Sequence, residues 1–156
     1  MASPIYDCAV RTSVVASGGA LVQLVPPAAA LGTGRVLRLR QITISNTTAT
    51  AFGVGVGIAT AAAVTPATAG GILRRTVSTG ATDPASTALV WSTFATTPTA
   101  PANYNLRLFV PASGTVIYVW NEGEELQVGP AATPLPLCIF NTGTGQIADV
   151  TLTWTE

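Results

Sequence analysis

Glu122, Glu124 and Glu125 form the one concentration of carboxylates in this chain. Two carboxylates are enough for a hydrolase, one serving as general acid and the other as base or nucleophile. Here they flank Asn121-Glu122-Gly123, with Trp120 and Leu126 beside them, a pattern that a solvated hairpin turn explains. The run also lacks the oxygen-rich spacing of a calcium loop. Gly53, Gly55 and Gly57 invite comparison with a phosphate cradle. That fingerprint sets its third glycine one residue later and opens a helix there. These glycines instead alternate with Phe52, Val54, Val56 and Ile58, as in a strand with one large apolar face and one bare face. A bare face lets a backbone or an aromatic ring approach closely. The approaching group can come from the same chain or from a neighbouring subunit. Cys8 and Cys138 are the only cysteines, each inside an apolar run, and read as small buried hydrophobes. A disulfide between them is not implied.

What the chain lacks narrows the field further. Its 156 residues include no histidine and no lysine, and 9% are charged, against about 25% in ordinary soluble domains. Without histidine no Ser-His-Asp or Cys-His relay can form. Without lysine there is no Schiff-base chemistry. Two cysteines far apart in sequence do not make a zinc site. We therefore expect no enzyme, no metal and no cofactor.

Net charge is zero, so long-range attraction to nucleic acid or an anionic membrane is weak. A near-neutral surface favours association. Arg35, Arg38 and Arg40 cluster on one predicted strand, and Arg74-Arg75 sits in a long loop. A nucleic-acid surface needs more cations and interleaved aromatics. Arginine–carboxylate contacts with a partner subunit and a structural or solvated role both account for these residues. Trp91, Trp120 and Trp154 fall in predicted strands and read mainly as core, with a sugar platform built on one of them as the minority reading. Asn46-Thr47-Thr48 matches a glycosylation acceptor.

The elements that must position these residues are strands. Alternating or continuous apolar runs cover 6–15, 20–25, 36–45, 51–59, 86–94, 104–110, 115–120, 124–128, 137–140 and 147–155. The Ser17-Gly18-Gly19, Asn46–Thr50, Pro111–Gly114 and Asn141–Gly145 segments read as turns. In 36–45 the apolar phase switches from Leu37 and Leu39 to Ile42 and Ile44, which predicts a β-bulge near Arg40-Gln41. Ile42–Asn46-Thr47 and Leu137–Asn141-Thr142 echo each other, apolar strands entering an Asn-Thr turn. Residues 41–73 carry no charge but contain Pro66 and no long apolar run, so no membrane segment is expected. Met1–Asp7 lacks the cationic start and apolar core of a signal peptide. The expected fold is all-β: an antiparallel, jelly-roll-like β-sandwich with one long loop around residues 60–84, within which 72–77 reads as a short strand. The expected organisation is an N-terminal arm, 1–7, and a single domain, 8–156.

The short N-terminal arm Met1–Asp7, the Ala/Thr/Gly-rich strands, the run Val116–Val128 and the hairpin Cys138–Gly145 through Trp154 resemble virion structural proteins of tailed bacteriophages, in particular the small capsid decoration (cement) proteins. The resemblance covers most of the chain in style and rests on no diagnostic motif. It implies a sandwich protomer, often trimeric, seated on the major capsid protein lattice at the virion surface. It implies no direct nucleic-acid or membrane partner. Candidate partner contacts are Pro4, Ile5 and Tyr6 of the arm, Gly53, Gly55 and Gly57 of the glycine strand, and Arg74 and Arg75 of the long loop. The alternatives are a tail or head-fibre component that recognises a host surface, and a carbohydrate-binding sandwich.

Overall fold

A computed structural model describes residues 4–26, 36–61, 67–69, 72–74, 87–91, 98–129 and 135–156. Among the described residues, twelve strands form two antiparallel sheets. They are β1 (Ile5–Arg11), β2 (Ala20–Val25), β3 (Leu37–Asn46), β4 (Phe52–Ile58), β5 (Ala67–Ala69), β6 (Ile72–Arg74), β7 (Thr87–Trp91), β8 (Leu106–Val110), β9 (Thr115–Val119), β10 (Leu126–Val128), β11 (Leu137–Asn141) and β12 (Ala148–Thr155). One sheet runs β10-β3-β12-β1-β6, with β9 also on β3, and the other runs β5-β7-β2-β11-β4-β8.

The pairing is nested. β1 pairs β12, β2 pairs β11, β3 pairs β9 and β10, and β4 pairs β8. One long antiparallel ribbon, folded over so that successive pairs alternate between sheets, gives this order, which is that of a jelly roll. The expected sandwich is thus present. The long-loop region supplies β6, where the short strand at 72–77 was expected, and also β5, which was not; they extend the sheets beside β1 and β7.

Burial follows the alternation. Leu37, Leu39, Ile42 and Ile44 of β3 all point inward. That needs one extra residue where the phase changes, and the ladder supplies it. Thr153 lies opposite Gln41 and Trp154 opposite Leu39, leaving Arg40 bulged, where the sequence placed the bulge. Trp154 and Tyr6 are fully buried, with ring centroids 5.8 Å apart. Burying each such side chain contributes on the order of 2–3 kcal/mol. Residues 5–7, assigned to the expected N-terminal arm, are strand, as the apolar run 6–15 also predicts for Tyr6 and Asp7. Tyr6 pairs in the ladder with Trp154 of β12 and Arg74 of β6, so Ile5–Asp7 belong to the start of β1 rather than to an arm.

The echoed Asn-Thr turns are one device used twice. Asn46 Oδ1 accepts from the N–H and hydroxyl of Thr48, and its Nδ2 donates to the carbonyls of Thr50 and Pro111. Asn141 Oδ1 accepts from the Gly143 N–H, and its Nδ2 donates to the carbonyls of Gly143 and Val15. Both side chains are buried where the chain leaves one sheet for the other, β3 to β4 and β11 to β12. A buried amide that satisfies turn carbonyls removes a desolvation cost the crossing would otherwise carry.

Candidate functional site

The carboxylate run does not form a hairpin. β9 and β10 both lie antiparallel to β3, against Gln41–Ser45 and Leu37–Leu39 respectively, so they are collinear pieces of one edge. The intervening turn is an excursion around the bulged Arg40. Trp120 N–H donates to the Arg40 carbonyl, and Gly123 takes a positive φ of 89°. Glu125, expected in solvent, is buried. Its Oε1 accepts from Arg40 Nη2 at 3.1 Å and its Oε2 from the Gly123 N–H at 2.8 Å. The Glu125 backbone N–H, followed by the Gly123 N–H and the Arg40 guanidinium, holds the carboxyl below its ordinary value against the opposing effect of burial. Arg40 is thus spent inside the chain. Glu122 and Glu124 are exposed, and Glu124 accepts from Asn121 Nδ2.

The bare face of the glycine strand is filled by its own chain. A Cβ at Gly55 would lie 2.5 Å from Cγ of Tyr104, one at Gly57 3.0 Å from Cγ of Pro101, and one at Gly53 2.6 Å from the Thr142 hydroxyl. The 98–105 segment lies over β4, and Tyr104 also meets Phe140, at 5.8 Å between centroids. The Arg107 guanidinium stands 5.0 Å above the Tyr104 ring. Cys138 lies in the same cluster with Ala20, Ala59 and Phe140, whereas Cys8 belongs to the inter-sheet core, and both thiols are free.

The candidate contacts do not converge. Tyr6 is core, Pro4 and Ile5 are half-buried, and Gly55 and Gly57 are covered. Arg74 ends β6, while Arg75 and Arg35 lie outside the described residues. Arg38 is exposed and Arg11 faces Asp149 at 3.8 Å on the surface, a pair worth at most about 1 kcal/mol. Among the described residues no group of His, Cys, Asp or Glu could hold a metal, and no helix is long and apolar enough to cross a membrane.

What the structure leaves open is the rim of the sandwich, with apolar side chains on both of its outer faces: Phe109 beside Gly53 on one sheet, Ile117 and Val119 beside Thr43 and Gln41 on the other. β8 ends one sheet and β9 edges the other on the same side of the sandwich, joined by the 111–114 turn. Phe109 is 70% exposed, Ile117 60% and Val119 61%, three of the four large hydrophobics exposed among the described residues. Edge strands are normally protected by lysine, proline or a bulge. β9, Thr-Val-Ile-Tyr-Val, has none of these, and residues 108–121 carry no charge. Sequence reasoning missed this surface because a strand apolar on both faces reads as buried. Its available signal was the charge-free run. No family model, curated protein or solved structure matches the chain.

Proposed function

We propose that this chain is a structural protein of a bacteriophage particle: a decoration (cement) protein that self-associates and binds the assembled lattice of the major capsid protein. The observation that carries the reading is the unprotected β8–β9 rim with Phe109, Ile117 and Val119 exposed. A jelly-roll sandwich without an acid–base relay, and with an uncharged edge, is suited to contact rather than catalysis. The resemblance of 116–128 and 138–154 to virion proteins names the setting. The rim has two different edges, β8 and β9. A β8-to-β9 contact is heterologous, and such contacts close into rings when the rotation allows. A trimer, the order the resemblance implies, is one such ring. A protein that binds the assembled lattice and not its free subunits stabilises the lattice by mass action.

The test is sedimentation velocity of the full chain, together with co-sedimentation on assembled heads and on unassembled major capsid protein. We expect a trimer that pellets with heads only. Lysines on the rim, I117K with V119K, should leave the fold intact, give monomer and lower head occupancy. A wild-type monomer at high concentration, or unchanged occupancy by the lysine variant, refutes the rim's role. Failure to pellet with any assembled head refutes the capsid assignment.

A further inference from the structure

We infer that the hollow beside the Arg40 bulge binds a primary ammonium group, carried by a lysine of another protein or by a free alkylamine. This inference does not depend on the capsid reading. The bulge and the excursion of the 120–125 turn leave a depression of about 220 Å³ beside β1 and β12. A ladder row crosses the outer face of the sheet there: Asp7 lies opposite Thr153, Thr153 opposite Gln41, and Gln41 opposite Val119. Ile5, Val119 and the half-buried Trp120 make the lining apolar on one side, and the exposed Glu122 lines it from the turn.

The internal hydrogen bonds leave acceptors toward a ligand. The Thr153 hydroxyl donates to Asp7 Oδ1 at 2.6 Å, so its oxygen is left only to accept. Gln41 Nε2 is turned to the Thr43 hydroxyl, 3.2 Å away, so the amide oxygen is the end left to a ligand. The Arg40 charge is balanced by the buried Glu125 carboxylate at 3.1 Å, and its Nε is closed to solvent. Glu122 makes no ion pair among the described residues, so its charge is the uncompensated one. The matching ligand carries positive charge and several donors, and has an apolar stem. An ammonium has three N–H donors and no acceptor, and its methylenes can lie along Ile5, Val119 and Trp120. One carboxylate and two neutral oxygens do not replace the roughly six to eight oxygens of a calcium shell. This chain contains no lysine, so no copy of it can supply that side chain.

The test is NMR titration of the ¹⁵N-labelled full chain with n-butylammonium, n-butanol and butyrate, following the Trp120 indole and Gln41 side-chain amide resonances. We expect saturable shifts with n-butylammonium alone, with Kd on the order of 1 mM. Glu122→Gln should weaken binding about fivefold, as loss of a partly exposed ion pair does, without lowering the unfolding temperature. Glu124→Gln, on the same turn but outside the hollow, should leave it unchanged. A lysine capped by amides at both ends distinguishes the sources: affinity equal to or above that of n-butylammonium assigns the site to a protein's lysine, and its exclusion assigns it to a free amine. No shift with n-butylammonium, an equal response to n-butanol, preference for butyrate, or full affinity in Glu122→Gln overturns the inference.

Discussion

Gly55→Ala tests how the outer face of the second sheet is closed. The added Cβ would sit 2.5 Å from Cγ and Cδ1 of Tyr104 and 2.7 Å from Cδ2, well inside the roughly 3.5–4.0 Å optimum of a carbon pair. The ring must retreat by about 1 Å to restore that distance. It is held in place by Phe140 beneath it and by Arg107 above. Overpacking of this kind costs about 1–3 kcal/mol. Replacing a strand glycine returns about 0.5–1 kcal/mol of backbone entropy. The net loss is about 1–2 kcal/mol, which lowers Tm by about 2–8 °C in a domain of this size. The assay is urea unfolding, followed by far-UV circular dichroism, of the wild type, Gly55→Ala, Tyr104→Ala and the double variant. In the Tyr104→Ala background the new methyl enters vacated space and should cost nothing, so the two sites couple by about 2 kcal/mol. Gly53→Ala is the control, because its Cβ meets only a hydroxyl that can rotate away. Equal costs of Gly55→Ala with and without Tyr104 would refute the packing account. So would a fully stable Gly55→Ala protein that lost only capsid attachment, which would return the glycine strand to the list of partner surfaces.

Asn141→Ala removes three hydrogen bonds at a buried crossing and should cost about 2–4 kcal/mol, read as a lower urea midpoint at constant m. Glu125 has a folded pKa below its ordinary 4.5. Its contribution to stability is therefore complete above that value and is lost as pH falls through the lower folded pKa. Glu125→Gln should flatten the stability–pH curve in that acid window, and an unchanged slope would contradict the assignment. Burial raises the pKa of Cys8 and raises that of Cys138 well above 9.0. Both thiols should resist a disulfide reagent at neutral pH and react together on global unfolding. Rapid labelling of either in the native protein would show an opening that the packing does not provide.

Much of the fold is local enough to read along the chain. The Leu37/Leu39 to Ile42/Ile44 phase switch locates the bulge, because a strand's side chains alternate strictly and only an extra residue resets them. The Asn46 and Asn141 echoes mark the two crossings, because an asparagine side chain bonds its own turn. The candidate contacts were not legible in the same way. The charge-free span 41–73 holds the glycine strand, a candidate partner contact on the sequence. Its glycine strand β4 lies inside a sheet, between β11 and β8, with Tyr104 and Pro101 over its bare face. The acids at 122–125 looked alike, yet one is buried on Arg40 and its neighbours face solvent.

From residue types alone the sequence determined that this is an all-β chain without histidine or lysine chemistry. Periodicity and composition carry that information because they act over a few neighbouring residues. Which surfaces are open was decided only by the tertiary structure. Strands far apart in the chain pair β8 and β9 into the sheet edges, fold the 98–105 segment over β4 and place Glu125 on Arg40. Exposure depends on what a strand is laid against, and in a nested jelly roll that neighbour lies up to most of the chain away.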